Sequence, residues 1–473
     1  MPRSIAKNFA VRLATLLAGA WLTTPMMAFE LEMAPVTVND TSGGGGWTSV
    51  SFIQSFDTVP HVYVLPTTDG TDPATLRIRN VTAAGFEVVQ TEPSANDGPH
   101  AAMSTAYLAI EPGAHTLPGG VRIVSSSYTT TSFANRFIST TWDNRAFPAT
   151  FSATPAVLAM VQGLSNETGN PPATSSIPFL EAGVRNVGPG GLQLTLERAE
   201  STAGTVTSPE RIAYLGIDAG ANVSFVDSLS NSIQLQSLLT PRNIRGFDNG
   251  CFVNSYGAAF PGTPLSVASM NTRFGNNGGW LRRCSESAAG IGLTVDEDID
   301  TDSERNHITE VAGVVAASAA FHANFDVDLD VSKSIDVLSD LVGRPTGPRA
   351  VPSSTIEYTI EVENLGSISP DVDTLVVTDT IPSDLSLCVT VACYPGGPVI
   401  FDDSASPVPT GVTLGLVEYS DDGGATYTYV PNPDAFGFDP AINAIQITLD
   451  GTLASIGTVG APTFELRLAA QVR

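Results

Sequence analysis

From Phe29 onward the chain alternates apolar and polar residues over short runs. Val62 and Val64, then Leu76 and Ile78, stand one residue apart with other residues between them, the spacing of a strand with one buried face. Pro and Gly break the runs roughly every 8 to 15 residues, and no 3.6-residue periodicity lasts beyond three turns outside the first 28 residues. The pattern predicts an all-β chain of antiparallel sandwiches.

The runs repeat. Phe52-x3-Phe56-x3-Pro60 returns as Phe147-x3-Phe151-x3-Pro155 and, more divergently, as Tyr256-x3-Phe260-x3-Pro264. Arg79-Asn80-Val81 before Gly85-Phe86 matches Arg185-Asn186-Val187 before Gly191-Leu192, and Trp280-Leu-Arg-Arg-Cys284 before Gly290-Ile291 stands at the same place in the third copy. Apolar segments starting at Tyr107, Tyr214 and Ala312 close the copies, 22, 23 and 22 residues after the glycine. Beyond residue 326 the pattern changes. Leu329 and Val331 alternate with Asp330 and Ser332, Ile356 to Val362 with Thr359 and glutamates, and Phe464 to Leu468 alternates again. The organisation this predicts is an export signal over 1–28, three related sandwiches over 29–118, 119–228 and 229–326, and an immunoglobulin-like (Ig-like) sandwich over 327–473.

The signal reading rests on Arg3, Lys7 and Arg12 ahead of an apolar Leu13 to Leu22 and a small residue at Ala28. Ten apolar residues are too few to span a bilayer. Without that segment the 22 basic side chains fall to 19 against 48 acidic, a net charge of −29, and Lys333 is the sole remaining lysine. Such a surface repels phosphate backbones, which excludes nucleic acid as a partner. An apolar content of 42% excludes a disordered acidic tail. Cys251 with Cys284 and Cys388 with Cys393 suit two local bridges of an exported protein, with distant pairings also open.

Candidate chemistry is sparse. Asp296, Asp298, Asp300 and Asp302 are spaced two apart and could converge on calcium, the one cofactor the sequence suggests. The alternative is a solvated acidic loop. No G-x-S-x-G, H-E-x-x-H or P-loop occurs, and His307 is the one histidine with close polar neighbours in sequence, so a non-enzymatic protein is expected.

The last segment resembles a conserved repeat domain of bacterial surface and exported proteins, on Asp330-Val-Ser-Lys333, Glu357-Tyr-Thr-Ile-Glu-Val-Glu-Asn364 with Gly366, and Val377-Thr-Asp-Thr-Ile-Pro382. That resemblance implies an Ig-like spacer. The three copies resemble H-type lectins, on Phe52-x3-Phe56-x3-Pro60-His-Val62, Gly85-Phe86 and Tyr107-Leu-Ala-Ile-Glu111. The lectin resemblance implies six-stranded sandwiches that bind sugars through an arginine eight positions before the Gly-Phe pair. Arg77 and Arg282 match it and copy two has Gly183; with Trp280 as a ring face they form the expected carbohydrate site. The aromatic and histidine that the family carries after that pair are replaced in copy one by Val89-Gln-Thr-Glu92. These features imply a secreted, periplasmic or cell-surface carbohydrate-binding or adhesion protein. Its expected partners are glycans and further copies of itself, and its three copies are expected about a pseudo-threefold axis. The competing class is a structural envelope protein whose sandwiches are spacers without a sugar ligand.

Overall fold

The repeated landmarks are the positions where backbone meets backbone. In a computed structural model, which describes residues 10–11, 28–39, 46–93, 100–138, 141–167, 177–340, 348–457 and 459–473, the two ring residues of each copy pack edge to face, with centroids 4.9, 5.1 and 5.0 Å apart. Their amides donate to the turn before the conserved glycine: Phe52 to Ala84 and Phe56 to Ala83, Phe147 to Gly190 and Phe151 to Pro189, Tyr256 to Ala289 and Phe260 to Ala288. The third copy therefore keeps the fold. At that glycine a Cβ would lie 2.1, 2.2 or 2.5 Å from a carbonyl oxygen of the neighbouring strand, at Gly85, Gly191 and Gly290. Asn80 and Asn186 both have φ of 51° at a bulge in the hairpin, and both side chains donate back to the partner strand, at Glu87 and Gln193. In the third copy Cys284 stands at this bulge and bridges to Cys251. The bridge crosses Gly292, where a Cβ would lie 2.5 Å from the Cys251 sulfur.

The described residues form two units, one over 28–325 and one over 326–473 together with Ala10–Val11. Among the described residues the regular secondary structure is almost entirely strand, with short 3₁₀ turns at Pro118–Gly120 and Phe247–Asn249. No helix among the described residues is long and apolar enough to cross a membrane. The expected signal segment lies outside the described residues except for Ala28 and Ala10–Val11, which pair with Val377–Thr378.

In the first unit each sandwich faces a four-stranded sheet against a second sheet, of three strands in the first and third sandwiches and four in the second. The second sandwich has the order Ala156–Val161, Glu210–Ile217, Val121–Thr130, Gly113–Leu117, and the third Leu265–Met270, Ala312–Ala317, Ser232–Leu239, Asn222–Val226. The edge strands Gly113–Leu117 and Asn222–Val226 follow the closing segments of the previous copies, so each copy hands its last strand to the next sheet. Phe321–Phe325, the last strand of the third copy, pairs with Phe29–Met33 of the first, Phe29 opposite Phe325 and Met33 opposite Phe321. The three sandwiches thus close into a ring. Contiguous boundaries at 118, 228 and 326 miss this, because a hairpin strand beyond each turn belongs to the following sheet.

The ring is built about a pseudo-threefold axis. Equivalent residues Val64, Ala159 and Ala268, Thr75, Glu181 and Trp280, and Leu76, Ala182 and Leu281 surround one void of about 40 Å³, barely room for a water. Gln162 and Asn271 occupy equivalent positions and repeat one contact, donating to the carbonyls of Val62 and Val157 in the preceding copy at 2.6 and 2.7 Å.

The second unit is a sandwich of two sheets. Leu329–Ser339, Thr355–Asn364, Thr463–Val472, Leu385–Cys388 and Phe438–Asp439 run in order in one, and Val376–Thr380, Ala444–Gly451 and Val412–Ser420 in the other. Ile360, Val377, Ile447 and Leu466 are among the residues of its core. Cys388 and Cys393 are bridged, so both local pairings form.

The glycine contacts yield a direct test. Gly191→Ala is expected to lower stability by about 1–3 kcal/mol through overpacking, read as a lower urea midpoint. Gly188→Ala, where a Cβ meets nothing within 4 Å, is expected to stay within about 0.5 kcal/mol of wild type.

Candidate functional site

Buried polar side chains lie where the sandwiches of the first unit meet. Arg77 and Arg282 are fully buried, and Trp280 is 4% exposed. Arg77 crosses from the first sandwich to the second, donating to Glu167 at 2.7 Å and Glu181 at 2.9 Å, its guanidinium 5.0 Å from the Phe179 ring centroid. Arg282 crosses from the third sandwich to the first. It donates to the carbonyls of Thr67, Asp72 and Gly70 and to Asp296. Trp280 donates to the Ala74 carbonyl and packs on Phe179 and Ala199, joining all three sandwiches. None of the three presents a face to a sugar; each is a tie between copies. The remaining junction, where Gly183 stands in place of an arginine, is held from the other side. Arg273 of the third sandwich donates to Glu197 at 2.5 Å and to the Asn135 carbonyl.

The acidic stretch is divided among partners. Asp296 takes Arg282 and Arg305. Asp298 accepts the amides of Glu200, Ser201 and Asp300. Asp302 meets Arg136 and the Glu304 amide. Asp300 does not join them in a cluster: no group of three or more metal-ligating side chains occurs among the described residues. The expected calcium set is therefore dispersed, because the strand ends after Asp296 and the Asp298 and Asp302 carboxylates each accept amides of a different turn. Beside it, burial pushes the Glu297 carboxyl up to about 9 and that of Asp298 up to about 7. His307, 3.5 Å from Glu297 and 3.7 Å from Glu310, is pushed down to about 4 by burial and by Arg273, and is neutral.

An open cleft of about 640 Å³ lies between the first and second sandwiches, lined by Arg79, Asn80, Val81, Gln162, Gly163, Leu164, Ser165, Glu167 and Arg211. Arg79 donates to Glu87 and stacks 3.9 Å from the Trp47 ring centroid. Arg211 donates to Ser127 and to Nε2 of His61. His61 is held down to about 4, by burial first and Arg211 second, so its proton sits on Nδ1 and is donated to the Ser125 hydroxyl at 2.7 Å. The Gln162 carbonyl oxygen is buried without a hydrogen-bond partner. The cleft is thus lined by guanidinium, amide and hydroxyl groups, several of them already bonded within the protein. Its Arg-Asn-Val segment was visible in the sequence as a repeat landmark, but its neighbours Gln162 and Arg211 come from another copy.

No family model matches the chain, and no solved structure matches it. The chain is similar to halomucin of Haloquadratum walsbyi, 25% identical over 397 residues. That alignment covers 82% of this chain and 4% of the relative, so the chain spans a small fraction of the protein it resembles.

The raised carboxyls make the junction between second and third sandwiches pH-dependent. Unfolded, Glu297 and Asp298 ionise near 4.5 and 3.8; folded, they hold their protons to higher pH. The folded state therefore binds more protons in that window, and stability falls as pH rises from about 5 to 9. Glu297→Gln is expected to flatten this slope, measured as urea midpoints at about pH 5, 7 and 9.

Proposed function

We propose that the chain is a non-enzymatic carbohydrate-binding or adhesion protein of the cell surface, and that its ligand enters the cleft between the first and second sandwiches. The observation that carries this reading is the cleft itself. The guanidinium groups of Arg79 and Arg211, the Asn80 amide and the Ser165 hydroxyl line one opening, the kinds of group that pair with sugar hydroxyls and carboxylates. Similarity to a protein named as a mucin and two disulfides support an exported, surface-associated setting.

A second reading, a structural surface protein without a sugar ligand, has its own observation. The cleft lining includes no aromatic ring, and the arginines and tryptophan that the lectin resemblance singles out are buried between copies. A glycan array carrying neutral and uronic-acid-containing sugars separates the two. Binding that weakens about tenfold or more in Arg211→Ala, a loss of about 1.4 kcal/mol, with an unchanged thermal melt, supports the ligand cleft. An array without signal together with self-assembly of the purified chain supports the structural protein.

A further inference from the structure

In the Ig-like unit, Lys333 faces inward from the strand Leu329–Ser339, in step with Leu329, Val331 and Val337, which pack against the core. Asp379 is buried on Val376–Thr380, in step with the core residue Val377. The two strands belong to different sheets, and Lys333 Nζ lies 2.5 Å from Asp379 Oδ2 across the sandwich. The Tyr358 ring covers the amine at 4.0 Å from its centroid, and the side chain of Lys333 is 15% exposed against 3% for Asp379. We propose that Lys333 and Asp379 condense into an intramolecular isopeptide bond that staples the two sheets of this sandwich.

The chemistry needs no reagent beyond the pair. The ammonium passes a proton along its hydrogen bond to the carboxylate, leaving a neutral amine beside a carboxylic acid. The nitrogen lone pair attacks the carboxyl carbon, a C–N bond forms, the C–O bond breaks, and the hydroxyl leaves with a nitrogen proton as water. Burial favours the starting state, because it raises the Asp379 carboxyl toward its protonated form, while Lys333 opposes that shift. It also favours the product, since a neutral amide replaces two charges whose desolvation is costly. Fixed geometry supplies the effective concentration that a bimolecular amide condensation in water lacks. Among the described residues Leu329–Ser339 pairs with one neighbour, Thr355–Asn364; the bond would pin this edge strand to the opposite sheet.

Lys333 is the only lysine beyond residue 28, so the readout has one side-chain target. The folded full chain is reduced, denatured, treated with an amine-acylating reagent and digested for mass spectrometry. The expected result is a Lys333 peptide joined to an Asp379 peptide, lighter than their sum by one water, with no acylated Lys333. In Asp379→Ala the Lys333 amine is acylated, and in Lys333→Met the Asp379 peptide runs alone. Because the wild-type digest decides by itself, a variant that fails to fold leaves the test intact. Separate wild-type peptides with Lys333 fully acylated would overturn the proposal.

Discussion

A sheet edge with unpaired amides and carbonyls has to be covered, paired or twisted away, and the three-copy unit pairs its edges in turn. Each copy ends in a strand that completes the next copy's sheet, and the last such strand, Phe321–Phe325, completes the first. The closing seam also carries ring contacts and ion pairs. Phe29 stacks on Phe325 and His115, Phe225 packs on Phe321 and Phe325, and His322 lies between Glu32 at 2.9 Å and Glu30 at 3.2 Å. Glu32 in turn receives Tyr107 and the Ile53 amide. Once the ring closes, the inner strands converge and the interfaces between copies are buried.

Burial explains how a chain with so few basic residues uses its arginines. A guanidinium removed from water is tolerable when carboxylates or carbonyls lie against its charge. Arg282 meets three carbonyls and a carboxylate, and Arg77 two carboxylates. Removing one partner of such a pair would leave a charge stranded, whereas the half-exposed Arg79–Glu87 pair is worth little. The arginines therefore fix how the copies dock, while the excess acidic charge remains largely on the surface. Burial also pushes two of the carboxyls held inside, Glu297 and Asp298, toward their protonated forms.

The strands, the copy number and the class of fold were legible because they depend on local spacing. The ring pair, the tight glycine and the bulge asparagine recur at fixed offsets for backbone reasons that act within one copy. What escaped was whatever joins copies. Arg77 could be singled out by position, but Glu167 lies 90 residues away, and the Thr67 carbonyl that receives Arg282 lies 215 away. The alternating aspartates suggested convergence, yet Asp296, Asp298 and Asp302 bond to different parts of the chain. Contiguous domain boundaries were natural to assume, since a strand lent to a neighbour has the same alternation as one kept at home.

Native-state hydrogen exchange across the closing seam tests the ring most directly. The amides of Leu31 and Met33 and of Phe321 to Phe325 are expected to be protected to the same degree as those of the Gly113–Leu117 and Asn222–Val226 seams, all three losing protection together as denaturant is added. Rapid exchange at Phe321–Phe325 while the other two seams stay protected, or three separate unfolding steps, would contradict the closed ring.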